Sequence, residues 1–240
     1  MKNITLIIAI LWGSYIGTSQ VSGEKYQSDD FKILTTQVTY MEDLSVLVWE
    51  ISVSGNAGAT VPIPAGKLNG APVLGYVFPT TLKSTDVGFN ETDGIVALAL
   101  TSHPDFDDTP LWDENFDADY ANDGIIWHPH WVILTKDDRV SGGLAVKQFD
   151  KNDTSVKLPP TNPGMPMYMD SPGFPVVTKN GSIRVVVPLY RLSNKLEFNY
   201  DGVAAFMQVN TEMKDRPMLG VYTVYSVASG DLSLPYTVKK

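Results

Sequence analysis

A single antiparallel β-sandwich, immunoglobulin-like or jelly-roll-like, is the fold this sequence predicts, and three observations predict it. No long stretch carries apolar residues at helical spacing. Short runs rich in Val, Ile, Thr, Tyr and Phe recur instead, the composition that suits a pleated surface. Between them stand clusters of Gly, Pro, Asn and Asp, the residues that turn a chain. Many short strands with frequent turns are the pattern of sandwiches and barrels.

At the N-terminus, Met1-Lys2-Asn3 precede an apolar run from Ile4 to Trp12, and small and polar residues follow. A positive start, a short apolar stretch and small residues at Val21 and Gly23 predict a secretion signal over 1–23, leaving a single domain over 24–240. The apolar run falls short of the roughly 20 residues a transmembrane helix needs. No second long apolar stretch follows, so no membrane span is expected after cleavage. The expected location is periplasmic or extracellular. The chain has no cysteine, which removes disulfides, thiolate ligands and thiol nucleophiles. A body of this size can bury enough core without disulfides.

The first strand is expected at Phe31–Tyr40. In the second, Leu47, Trp49, Ile51 and Val53 alternate with Val48, Glu50 and Ser52, as in a half-buried strand. Further strands are expected at Gly94–Thr101, Ile125–Leu134, Gly143–Phe149, Ser182–Tyr190, Gly202–Val209 and Leu219–Val227. Lys179-Asn180-Gly181 reads as a tight hairpin turn, and Lys136-Asp137-Asp138-Arg139 with Ser141-Gly142-Gly143 as another. Two proline-rich stretches, Asn56–Thr85 and Leu158–Pro175, read as irregular. Neither is expected to be a central strand, because proline brings no ladder donor.

The formal net charge is −9, and loss of Lys2 with the signal makes it −10. Such a domain repels phosphate backbones and anionic membranes, so nucleic acid is not an expected partner. No Lys or Arg occurs between Lys83 and Lys136, and an acidic stretch from Asp105 to Asp123 lies inside that gap. Within it Asp113, Asn115, Asp117 and Asp119, followed by Asp123, have the alternation of a calcium loop. They lack the glycine and the closing glutamate of the EF-hand. A non-EF calcium loop and a solvated acidic loop both fit.

The chain has three histidines, His103, His128 and His130. The last two lie in Trp127-His128-Pro129-His130-Trp131. Residues two apart on a strand share a face, so the two imidazoles can converge on one ion. His103 ends the preceding strand and completes a three-histidine set if the two strands are neighbours. Three imidazoles suit zinc or copper. Met165, Met167 and Met169 alternate through a proline-containing segment and offer soft thioethers, which tilts the choice toward copper. The plainer alternatives are histidines bonded to backbone carbonyls and methionines used as adaptable packing.

No nucleophile elbow, Ser-x-x-Lys set, His-Glu-x-x-His motif or phosphate-cradling glycine loop is present. The functional expectation is therefore an exported transition-metal-binding protein, with storage, delivery or sensing preferred over catalysis and only a metal-centred reaction left open. The alternative is a calcium-stabilised carbohydrate-binding or adhesion module. In that reading Trp112, Tyr120 and Tyr168 stack on sugar rings, and the partner is a glycan or another exported protein.

Overall fold

The computed structural model describes residues 23–109, 113, 115–119 and 122–240. The expected signal, apart from Gly23, lies outside these residues, as do Trp112 and Tyr120. Gly23 itself belongs to the fold: it is buried, and its carbonyl accepts the Tyr225 hydroxyl at 2.6 Å.

Among the described residues, thirteen strands follow in order. They are β1 (Ile33–Met41), β2 (Val46–Val53), β3 (Pro72–Pro79), β4 (Ile95–Ser102), β5 (His128–Lys136), β6 (Leu144–Val146) and β7 (Met169–Asp170). Then come β8 (Val176–Lys179), β9 (Ser182–Pro188), β10 (Asn199–Tyr200), β11 (Val203–Val209), β12 (Leu219–Val227) and β13 (Tyr236–Thr237). The helical segments among the described residues are short 3-10 turns, and no helix there is long and apolar enough to cross a membrane.

The all-β expectation holds, but the architecture differs from an open two-sheet sandwich. Strands β4-β3-β11-β12-β6-β5 form a six-stranded barrel, closed where β4 pairs with β5. That pairing runs from Ile95 opposite Leu134 to Thr101 opposite His128, and it consumes the two edges a sandwich layer would leave open. The second layer is a four-stranded sheet, β1-β2-β9-β8. Asn180, with φ of 53°, turns the β8–β9 hairpin as the sequence suggests.

Period-two alternation gives each barrel strand two apolar faces. The outward set (Leu74, Tyr76, Phe78, Leu98, Leu100, Trp131) packs with Leu47, Trp49, Ile51 and Val185 of the second sheet. The inward set (Val73, Ala97, Ala99, Val132, Ala205, Met207) meets inside the barrel. Trp49 anchors the layer between them. Its ring stacks on Phe198 at 5.3 Å and meets Phe78 and Trp131 edge-on at 5.4 and 5.9 Å.

One expectation is overturned by β3. Asn56–Thr85 is not irregular throughout, because Pro72–Pro79 is a fully buried strand between β4 and β11. The two prolines stand at its ends, so Val73 through Phe78 keep their ladder donors. Leu158–Pro175 is closer to the expectation, with only the two-residue β7 inside it.

Trp49→Ala removes the ring on which both layers converge. Its unfolding free energy, read from chemical denaturation, is expected to fall by about 3–5 kcal/mol.

Candidate metal centre

The inward face of β5 carries His128 and His130, two residues apart as the strand period requires. They lie opposite Thr101 and Ala99 of β4. His103 follows β4 two residues beyond Thr101. Its N–H donates to Gly124 O at 2.7 Å, which ties the end of β4 to the turn before β5. All three imidazoles are 1% exposed. The structure thus brings together the three histidines that the sequence singles out.

A fourth group joins them. Asp108, 6% exposed, sets its Oδ1 3.3 Å from Nε2 of His103, 3.4 Å from Nε2 of His128 and 3.3 Å from Nε2 of His130. The four candidate ligand atoms all lie within 4.8 Å of one another. Ligands at about 2.0–2.1 Å on a tetrahedral ion stand about 3.3–3.4 Å apart, so the three Asp108 spacings fit such an ion.

The surrounding hydrogen bonds fix which nitrogen of each ring carries its proton. His103 Nδ1–H donates to Phe106 O at 2.8 Å, and His128 Nδ1–H donates to Ile126 O at 2.6 Å. A carbonyl only accepts, so each Nδ1 bears the hydrogen and each Nε2 a lone pair. His130 Nδ1 lies 3.0 Å from Ser171 Oγ, whose own proton goes to Asp108 O at 2.7 Å. The hydroxyl therefore accepts from His130, which has the same tautomer. Phe106 stacks on His103 with centroids 4.0 Å apart and planes at 8°, which sets that ring's tilt.

Three lone pairs and a carboxylate oxygen consequently face one point. His103 and His128 Nε2 are 2.9 Å apart with no proton available between them in these tautomers. Asp108 Oδ1 and His130 Nε2 are buried without a hydrogen-bond partner. Burial opposes the charged form of Asp108; positive charge on His130 and His103 and hydrogen bonds from His103 and His128 outweigh it and hold the carboxyl well below its usual range when those rings are protonated, and with the rings neutral that charge has to come from a cation. Buried acceptors arranged this way are stabilised by a cation, and a neutral imidazole held at Nδ1 by a carbonyl or hydroxyl is the ordinary preparation of a metal ligand.

Of the other predicted residues that are described, the methionines lie beside the site and the rest lie elsewhere. Met165, Met167 and Met169 line a small chamber of about 20 Å3 together with His103, Asp108 and His130, beside the ligand atoms. Among the described residues, Asp113, Asp117, Asp119 and Asp123 do not form a group close enough to share an ion. Their oxygens serve the loop itself. Asp113 accepts the Asp117 and Ala118 N–H groups at 3.1 and 2.8 Å. Asp117 accepts from Asp119 N and Asn122 Nδ2, both at 2.8 Å, and Asp123 accepts from Asn115 N at 3.2 Å. Tyr168 is 5% exposed and meets Phe89 and Phe149 edge-on, so its ring faces are spent on packing.

The sequence does not single out Asp108, Ser171 or Gly124. Asp108 is one of several aspartates in an acidic stretch, and nothing in its spacing marks it. Gly124 is required by close approach: an added Cβ would lie 2.0 Å from Phe106 O and 2.4 Å from His103 O. Gly124→Ala is expected to displace His103 and weaken metal binding. Ser171→Ala, which frees the His130 ring, is expected to weaken it about 10–100-fold. Both are read by competitive titration against a chromophoric chelator. Comparison with family models, with curated proteins and with solved structures finds no match to this chain, so the site is interpreted from its own geometry.

Proposed function

We propose that this protein binds a divalent first-row transition-metal ion through His103, Asp108, His128 and His130. The carrying observation is the convergence of three Nε2 lone pairs and one carboxylate oxygen on a buried point. Zinc is the preferred ion. Three imidazoles and a carboxylate, with the carboxylate oxygen 3.3–3.4 Å from each Nε2, suit zinc(II), whereas copper(I) favours sulfur. Copper(II) accepts the same nitrogens and is the second choice. Burial of all four ligands favours an ion held firmly over one handed on. The methionines beside the site are read as packing that closes it.

The same reading has the protein exported. The Lys2 to Trp12 pattern supports this. The acidic stretch between the histidines concentrates cations near the site.

Elemental analysis of untagged protein is expected to give one equivalent of zinc or copper per chain. The double variant His128→Ala, His130→Ala is expected to lose it. Calcium alone, or no metal, would overturn the reading. Protons compete with metal for each Nε2, so affinity is expected to fall steeply from about pH 7 to about pH 5. Chelation at neutral pH is expected to lower the melting temperature, because an ion bound only by the folded chain stabilises it.

A further inference from the structure

A barrel of six strands is narrow enough for its own side chains to fill, yet this one is not filled. An apolar cavity of about 100 Å3 occupies the interior. Small residues leave the room: Ala99 and Ala205 face inward where a branched side chain would close the space. Nearly all of the wall is aliphatic. Its polar side chains are Thr101 and His130, both at the end where the candidate metal ligands sit.

The cavity has direction. Strand pairing sets Leu219 opposite Val209 at the metal end of the β11–β12 pair and Val227 opposite Val203 at the other. The far rim includes Val224, 43% exposed, and the partly buried Leu232, so that end approaches solvent. At the near end, Thr101, His130, Met169 and Leu219 are shared with the chamber of about 20 Å3 that touches His103 and Asp108. The larger space thus runs from the rim to the imidazole of a metal ligand, and the smaller one has room for a single water-sized ligand on the ion.

We propose that the barrel cavity binds a small uncharged apolar molecule, no larger than about a benzene ring, and presents it to the metal. This rests on the metal reading and extends it from holding an ion to meeting a second ligand there. A dry aliphatic void of about 150 Å3 is known to take up benzene or xenon; at about 100 Å3 this space is smaller and suits a xenon-sized solute. A polar solute would lose its hydrogen bonds along most of the wall, which restricts the class of ligand to apolar molecules. Among the described residues Thr101 and His130 are the polar side chains of the wall, so a polar or reactive atom of that molecule is best placed at their end, facing the ion.

Xenon is the probe. Titrating zinc-loaded protein with xenon is expected to give saturable 129Xe and methyl chemical-shift changes. Replacing zinc by paramagnetic cobalt(II) is expected to speed 129Xe relaxation at least about threefold, since the cavity abuts a ligand of the ion. Ala205→Leu, which fills the larger void at a residue that does not line the chamber beside the ligands, is expected to weaken xenon binding at least about tenfold with zinc stoichiometry unchanged. Should that variant fail to fold, Ala205→Val adds less volume and is expected to weaken binding in the same direction. The proposal is overturned by absence of saturable binding, by binding that both Ala205 variants leave unchanged, or by equal relaxation in the zinc and cobalt forms. Zinc stoichiometry is measured separately. A chain that takes xenon but no metal sinks the metal reading, and one that takes metal but no xenon sinks only the cavity reading.

Discussion

The antiparallel pairing of β4 with β5 is the constraint on which both the barrel and its site depend. It joins the two ends of a six-stranded sheet, and with the same register it sets Ala99 against His130 and Thr101 against His128. A slip of one residue would turn both histidines onto the face that packs against Trp49, where Trp131 and Ile133 now lie. Closure and ligand placement are thus one event. The aliphatic residues on the inward face of β5, Val132 and Leu134, fix the register by burial. The histidines, at the strand's N-terminal end, inherit it.

The site sits where an apolar interior gives way to polar loops. Asp108, Phe106, Ile126 and Ser171 come from three separate stretches of irregular chain, and each supplies one contact that the strands cannot. Two of those contacts come from backbone carbonyls, which hold ring orientation without adding charge. The single charge is the Asp108 carboxylate. An isolated buried carboxylate is costly by several kcal/mol, so binding of the proposed ion would be coupled to the energetics of the loop.

Much of this was legible in the sequence, for identifiable reasons. The β2, β4, β5, β9, β11 and β12 segments carry alternation or continuous apolar runs that local pattern reveals. His128 and His130 were readable as a pair because strand period alone puts them on one face, and His103 because β4 and β5 are consecutive strands. Barrel closure was not legible, since it depends on the pairings of β3 with β11 and β12 with β6, far apart in sequence. The β3 strand was hidden by Pro72 and Pro79, which look like breaks until their positions at its two ends are known. Asp108 was hidden by its neighbours: Asp105 caps the N–H groups of Ala65 and Gly66, and Asp107 bonds Thr109. Only tertiary placement separates the three roles.

The link from His103 across to His128 and on through Ser171 gives the chain something its composition otherwise denies it. With no cysteine, it has no covalent tie between distant segments. The ion proposed for residues 103, 108, 128 and 130 would be such a tie, closing the whole acidic stretch into a loop anchored at both ends. Cross-links that close long loops restrict the unfolded chain most. Such a tie would be indifferent to reductants and vulnerable to chelators and acid, so on the proposed reading the stability of the barrel's histidine end would follow the metal supply of its surroundings and not their redox state.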